Sequence, residues 1–235
     1  MNIVSPSPVY QRLQQFPLFQ GMSIGELTKV LAHTKFGFEK FEPQRRVVKA
    51  GEACRHLFFL TNGDLMIETA SHDGLLRVEE YISAPAILQP ECIFGLPQRF
   101  RSTYTSVTLV NFITLEKREV LVLCERFQVF QLNLMNMMSK QSQQLLLAPW
   151  KWYPTTLREH IVHFLMSHSQ TLSGCKNYYI LMRHLAEAVN DSRLDVSRQL
   201  RAMEEDGQLR LTRGKIQLVD MQQLIQLYVA EEKRE

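Results

Sequence analysis

The stretch that decides the fold is "DSRLDVSRQLRAMEEDGQL", Asp191 to Leu209. At about 100° per residue, Val196, Leu200 and Met203 fall within about 60° of one another and form one inward stripe. Leu194, Arg198 and Arg201 lie on the opposite side, with Arg193 in the first turn. Ser192 stands at the N-cap and Asp195 at the capping-box position. Upstream, Leu181 to Val189 reads as a short helix with Leu185, Ala188 and Val189 inward. Asn190-Asp191 breaks it, and Asn tolerates a left-handed turn. Ala186 is small enough for two helices to approach closely. The spacing is that of a helix-turn-helix.

The outward arginines have two readings. Guanidinium forks match guanine edges and phosphates, and an apolar tip such as Leu194 suits a thymine methyl. The bland alternative is a salt-bridged surface helix, since Glu204, Glu205 and Asp206 are close by. The next segment favours nucleic acid. "QLRLTRGKIQLV" is two alternating runs joined at Arg213-Gly214, a hairpin tipped by Arg213 and Lys215. A basic hairpin directly after such a helix is a wing, and a wing can reach phosphate. Between Arg183 and Lys215 there are 7 Arg/Lys and 6 Asp/Glu. Placement of charge, not its sum, must therefore carry any binding. Ser192 and Ser197 complete the candidate DNA-binding set of Arg193, Leu194, Arg198, Arg201, Arg213 and Lys215.

The chain ahead of this segment changes character twice. Ser23 and Glu26 form a capping box ahead of a short helix with Leu27, Val30 and Leu31 on one face. From about residue 36 to 115 the chain is short β-branched and aromatic runs. Turn signals punctuate them at Glu42-Pro43, Ala50-Gly51, Asn62-Gly63 and Asp73-Gly74, which predicts an antiparallel barrel or jelly roll. Asn62-Gly63 between "LFFLT" and "DLMIE" is a hairpin signal. After Leu115 the period becomes helical, with no Gly or Pro up to Leu147. Phe130, Leu134, Met137, Gln141 and Leu145 make one stripe; Leu132, Met135 and Met138 make a second. Two stripes need two buried faces. One covers the barrel, and the first-named is read as a seam between two copies of the chain; the alternative is a helix buried wholly within its own domain. "APWKWYP", 148 to 154, ends the helix as a hinge, and "SGCKN" reads as a loop.

Composition excludes several classes. The 235 residues are 45% hydrophobic and 22% charged, as in a soluble globular protein of one or two domains. A net charge of +3 and a pI near 8.7 are too mild to imply nucleic acid by themselves. Cys54, Cys92, Cys124 and Cys175 form no C-x-x-C, so they read as free thiols in a reducing compartment. No apolar run nears the roughly 20 residues that span a bilayer, and the N-terminus lacks a signal pattern, so a cytoplasmic protein without membrane association is expected. No phosphate-binding loop, nucleophile elbow or H-E-x-x-H occurs. No catalytic or metal residue is assigned, and an enzyme is not expected.

The order of barrel, long helix, hinge and winged helix-turn-helix resembles the family of the catabolite activator protein and the fumarate-nitrate regulator over nearly the whole chain. "PLFQGMSIGELTKVL", "VVKAGEACRHLFFLTNGDLMIE" and "LAEAVNDSRLDVSRQLRAMEEDGQL" carry the resemblance. It implies an α+β protein of three parts. Residues 1–118 would be a cyclic-nucleotide-binding-like jelly-roll sensor, 119–147 a dimerisation helix, and 148–235 a winged helix-turn-helix DNA-binding domain. It also implies a bacterial homodimeric transcription regulator on an inverted-repeat site in double-stranded DNA, with RNA polymerase as a further partner. Arg193, Leu194 and Arg198 match the family's base-contacting positions; where the catabolite activator has Glu, this chain has Leu194, so its preferred sequence should differ. Glu91 precedes Arg101-Ser102 at the spacing of the family's cyclic-phosphate cassette, with Arg101 for the phosphate and Glu91 for the ribose hydroxyl; a plain surface ion pair is the other reading. Pro90 replaces the cassette glycine, and no Thr-Ser pair on the long helix meets a base. An effector other than cyclic AMP, or none, is expected. The rival function is a cyclic-nucleotide-binding module that acts on a protein partner instead of DNA.

Overall fold

The computed structural model describes residues 8–151 and 153–231. In chain order the helices and strands are α1 (Pro8–Gln14), α2 (Ile24–His33), β1 (Phe36–Phe41), β2 (Arg46–Val48), β3 (His56–Asn62), β4 (Asp64–Ala70) and β5 (Leu76–Ser83). There follow β6 (Ala86–Ile87), β7 (Thr103–Ser106), β8 (Val110–Glu116), α3 (Lys117–Arg126), α4 (Gln128–Lys151) and α5 (Leu157–Ser167). The chain closes with β9 (Lys176–Ile180), α6 (Met182–Ala188), α7 (Arg193–Glu205), β10 (Leu209–Thr212), β11 (Lys215–Leu218) and α8 (Met221–Glu231). An N-terminal β-rich part is thus followed by a long helix and then by C-terminal helices. The residues divide into two compact units. The first runs to Leu65 and resumes over Ile82–Arg101 and Thr105–Ala148; the second takes Met66–Tyr81, Ser102–Tyr104 and the chain from Pro149 onward.

The first unit is organised on an open four-stranded sheet in the order β1-β8-β3-β6. The apolar run "LFFL" of β3 is buried throughout because both faces of the sheet are covered. On one face Phe58 meets Phe112 and Phe100 edge-on. On the other, Phe59 is met by Phe16 at 5.0 Å and Phe19 at 5.7 Å, and Phe19 in turn packs on Phe130 of α4 at 5.4 Å. Asn133 Nδ2 donates to the carbonyls of Leu18 and Gln20 and ties α4 to the entry segment. The capping box of Ser23 and Glu26 forms as read from the sequence. The strands are not closed into a barrel in the described residues.

Three local expectations need correcting. Asn62-Gly63 does make a tight turn, with Gly63 at φ +88°, where an added Cβ would stand 2.4 Å from the Leu109 carbonyl oxygen. The flanking strands nevertheless do not form a hairpin: β3 pairs with β6 and β8, while β4 lies between β5 and β7. The polar groups of the turn are taken elsewhere, since Ala84 N donates to Gly63 O, Val107 N to Asp64 O, and Asp64 N to Thr108 Oγ1. The long helix is two helices, because Phe127 has extended dihedrals (φ −129°, ψ 101°) and closes α3 before α4 begins. At its far end α4 continues through Pro149 to Lys151; a proline removes one amide bond, but the next residues can still follow helical dihedrals. Trp152 of the expected hinge lies outside the described residues.

The second unit is a sheet ordered β10-β11-β9-β5-β4, packed on helices α5 to α8. Leu76 and Val78 of β5, Tyr178 and Ile180 of β9, and Ile216 and Leu218 of β11 face the helices and are buried with Ile161, Val196, Leu200 and Met203. The turn from β4 to β5 is the Asp73-Gly74 signal. Asp73 Oδ1 accepts from Ser71 Oγ and Leu75 N, which holds the Asp73 carboxyl below its ordinary pKa. The loop expected over "SGCKN" gives way at Lys176 to β9, which pairs with both β5 and β11.

Candidate nucleic-acid interface

Helix α7 starts as its sequence requires. Ser192 is the N-cap; its Oγ accepts from Asp195 N at 3.1 Å and donates to Asp195 Oδ2 at 2.6 Å. Ahead of the cap Asn190 takes φ +55°, and Asp191 N returns to Ala186 O at 3.0 Å to close α6. Leu185, Ala186 and Val189 are the inward residues of α6, whereas Ala188 is exposed. Val196, Leu200 and Met203 are fully buried, so the rotation of α7 about its axis is fixed by burial of its apolar stripe.

That rotation leaves Leu194, Arg198 and Arg201 exposed on the side away from the core, with Arg193 exposed in the first turn. Leu194 is 59% exposed, an apolar side chain in water with no packing role. Arg198 Nη1 lies 3.3 Å from Asp195 Oδ1, with both side chains largely in solvent, so the pair is weak and readily exchanged for another anion. Of the three carboxylates at the end of α7, Glu204 and Asp206 are engaged away from these arginines, while Glu205 is exposed. Glu204 Oε1 accepts from Leu211 N at 2.6 Å and fastens α7 to the wing strand β10, and Asp206 pairs with Arg158 of α5. Ser197 is half-buried. Ser192 fills its expected N-cap role, with its hydroxyl engaged by Asp195 and its N–H donating to Asp191 Oδ1.

The wing follows at once. β10 and β11 pair in register from Leu209↔Leu218 to Thr212↔Lys215, and Gly214 turns the chain at φ +72°. Arg213 is exposed at the tip and Lys215 is half-buried at its base. No carboxylate lies within ion-pair distance of Lys215 among the described residues.

The effector set read from the sequence does not assemble. Glu91 sits on a 3-10 turn, Pro90–Cys92, and is half-buried; Arg101 is exposed; no ion pair joins them among the described residues. The residue before Pro90 is the reason. Gln89 takes a left-handed conformation (φ +36°), and its Oε1 accepts from Arg101 N at 2.9 Å. Ser102 is fully buried in the second unit, bonded to Thr69 Oγ1 at 2.7 Å and to Gln170 Nε2, so its hydroxyl is not offered to a ligand. Burial pushes the Cys54 thiol up to about 12, so that sulfur is an inert core group. No group of three metal-ligating side chains occurs among the described residues, and no helix among them is long and apolar enough to cross a membrane.

Within the single chain the first-named stripe of α4 is the more buried of the two. Phe130 and Leu134 are buried inside the first unit, and Met137 and Gln141 are half-buried on the same side. Of the expected seam only Leu145 is exposed. The open side carries Leu132 and Met135 at 49% and 57% exposure, then Ser139, Ser142 and Leu146, at alternating spacings of three and four.

No family model and no curated protein matches the chain. Solved structures with a similar chain trace include the catabolite activator protein of Thermus thermophilus, at 17% identity, TM-score 0.48, and coverage of 92% of this chain and 99% of that one. DNR from Pseudomonas aeruginosa is similar at 16% identity and TM-score 0.46, over 93% and 97% of the two chains. The c-di-GMP responsive global regulator CLP of Xanthomonas campestris gives 14% identity and TM-score 0.44, over 84% and 99%. No residue's role follows from likenesses at this level.

Proposed function

We propose that this protein is a DNA-binding transcription regulator. The observation that carries the reading is the presentation of α7. Its apolar stripe is buried and its N-terminus capped, and the carboxylates Glu204 and Asp206 at its end are engaged elsewhere, while Arg193, Leu194, Arg198 and Arg201 stand in solvent beside a basic wing. Arg193 and Arg198 read base edges, Leu194 meets a thymine methyl, and Arg201, Arg213 and Lys215 hold phosphates.

The regulator acts as a homodimer joined along α4, through Leu132, Met135, Ser139, Ser142 and Leu146 of both copies. The alternation of three and four along this face supports a helix-to-helix seam, and the central serines would tune its register. A two-fold dimer requires inverted half-sites about one helical turn apart. The first unit serves as the sensor, with the strand order of a cyclic-nucleotide-binding-like jelly roll as its nearest description. Cyclic AMP is not read as its effector, since Pro90 stands in place of the cassette glycine and no Thr-Ser pair on the long helix meets a base. Titration calorimetry of cyclic AMP into the full-length protein should give no saturable heat; sub-micromolar binding would refute this point.

The test of the main reading is selection of bound sequences from randomised duplex DNA by the full-length protein. An inverted repeat should emerge. Arg198→Ala, measured against every single-base variant of that repeat, should lose about 1–3 kcal/mol and its preference at one base pair per half-site. A binding matrix that keeps its shape and only shifts in overall affinity makes Arg198 a phosphate contact. Selection that returns no enriched sequence removes the regulator reading.

A further inference from the structure

The sheet of the second unit carries a row of side chains that DNA readout by α7 does not use. Register sets Arg77 of β5 opposite Tyr179 of β9, and Tyr179 opposite Lys215 of β11. Directly opposed residues of antiparallel strands point to the same face. The neighbours Leu76, Tyr178, Ile180 and Ile216 point the other way, into the core, so the row lies on the outer face. There the Arg77 guanidinium stands 3.9 Å from the centre of the Tyr179 ring, and Lys215 Nζ is 5.6 Å from the same ring. Both distances are within reach of a cation–π attraction.

The two cations are treated differently. Arg77 is bound at 2.7 Å to Glu68 and 3.0 Å to Glu79. Tyr179 is fixed as well, since its hydroxyl donates to Glu79 Oε2 at 2.7 Å. The Arg77 charge is therefore spent on holding the ring. Lys215 has the ring but no carboxylate, so its charge remains for an outside anion.

The pairing that brings β5 here is specific. Glu80 and Lys176 are opposed in register, both point inward, and both are buried, with Nζ to Oε1 at 2.6 Å. The Glu80 carboxylate also accepts from Gln170 N and Thr171 N. A slip of one residue would turn the slipping strand's apolar face outward and leave the other strand's buried charge unpaired, so this register is enforced.

We propose that the segment 66–81 is a wing-positioning element, in which Arg77 clamps Tyr179 and the clamped ring holds Lys215 at the base of the wing for a DNA phosphate. The proposal rests on the DNA-binding reading above. Lys215 would touch the phosphate; Arg77 and Tyr179 are positioning residues that act through it. A lysine stem held on a ring loses less freedom on binding than a free one.

The test is equilibrium binding of full-length protein to a fluorescent random-sequence duplex over a salt series. Lys215→Ala should reduce the log–log salt slope by about one unit. Arg77→Ala and Tyr179→Ala should each do nearly the same, and Tyr179→Phe, which keeps the ring, should stay close to wild type. In a Lys215→Ala background Arg77→Ala should add nothing. An Arg77→Ala slope equal to wild type overturns the proposal, and so does an effect undiminished by Lys215→Ala, which would mark Arg77 as a separate contact. Amide hydrogen exchange without DNA is the second measurement. Exchange over Arg213–Lys215 should rise in Arg77→Ala while exchange in α7 is unchanged, and unaltered exchange at the wing also overturns the proposal. Wild-type protein without salt-dependent duplex binding would bring down the DNA reading and this one together, a result distinct from either failure of Arg77→Ala alone.

Discussion

Lys176→Met should destabilise the second unit by about 3–5 kcal/mol, because it leaves the Glu80 carboxylate buried without its counter-charge. The Lys176 and Glu80 side chains are 0% and 1% exposed, so water cannot take over. Removal of charge on both sides should reverse most of the loss. The useful double variant is Glu80→Gln with Lys176→Met, since a Gln oxygen can still accept from the Gln170 and Thr171 amides that Glu80 now serves. A buried ion pair gains little over a neutral pair of similar volume, so this variant should unfold close to wild type. The measurement is denaturant unfolding of all three proteins, with the thermal midpoint of Lys176→Met expected to fall by roughly 10 °C. A Lys176→Met protein within about 1 kcal/mol of wild type would mean the pair is solvated and does not enforce strand register.

The second large effect separates the two faces of α4. Phe130→Ala should cost about 3–5 kcal/mol, as it removes a fully buried ring packed on Phe19 and leaves a cavity between α4 and the entry segment. The sedimentation mass should stay that of a dimer where the protein remains folded. The pair Leu132→Glu and Met135→Glu should behave in the opposite way. Both positions are about half exposed in the single chain, so its stability should change little, while like charges facing each other across the seam should give a monomer of 27.4 kDa. A dimer that survives both glutamates would move the self-association surface off this face of α4.

Local signals in the sequence were readable wherever a short range of residues decides the outcome. Ser23 with Glu26, Ser192 at its cap, Asn190 in its left-handed turn and Gly214 in the wing turn all depend on backbone groups a few residues away. The inward stripe of α7 was readable for the same reason. What could not be read depends on distant partners. The two stripes of α4 are equally apolar, and only the aromatic cluster of Phe16, Phe19 and Phe59 decides that Phe130 goes inside. Strand β9 was hidden because Lys176 interrupts the alternation of "KNYYI", and the residue that makes a buried lysine tolerable, Glu80, lies 96 positions away. Glu80 likewise disguises the inward face of "LRVEEYIS". Each looks like a surface residue until the other is known. Around the effector set, the bond from Arg101 N to the Gln89 side chain is a contact that motif spacing does not express.

The non-contiguous make-up of the second unit has a consequence for how the protein is born. The segment 66–81 leaves the ribosome well before β9 exists. At about 5–20 residues per second, a wait of 96 residues lasts about 5–20 s. During that time β5 lacks β9 on one edge and a partner for the Glu80 carboxylate, and an unpaired strand edge is a template for association with other chains. A carboxylate at position 80 is costly to bury against the wrong partner. A residue that reads in the finished protein as a register key is, on the nascent chain, a guard against premature pairing.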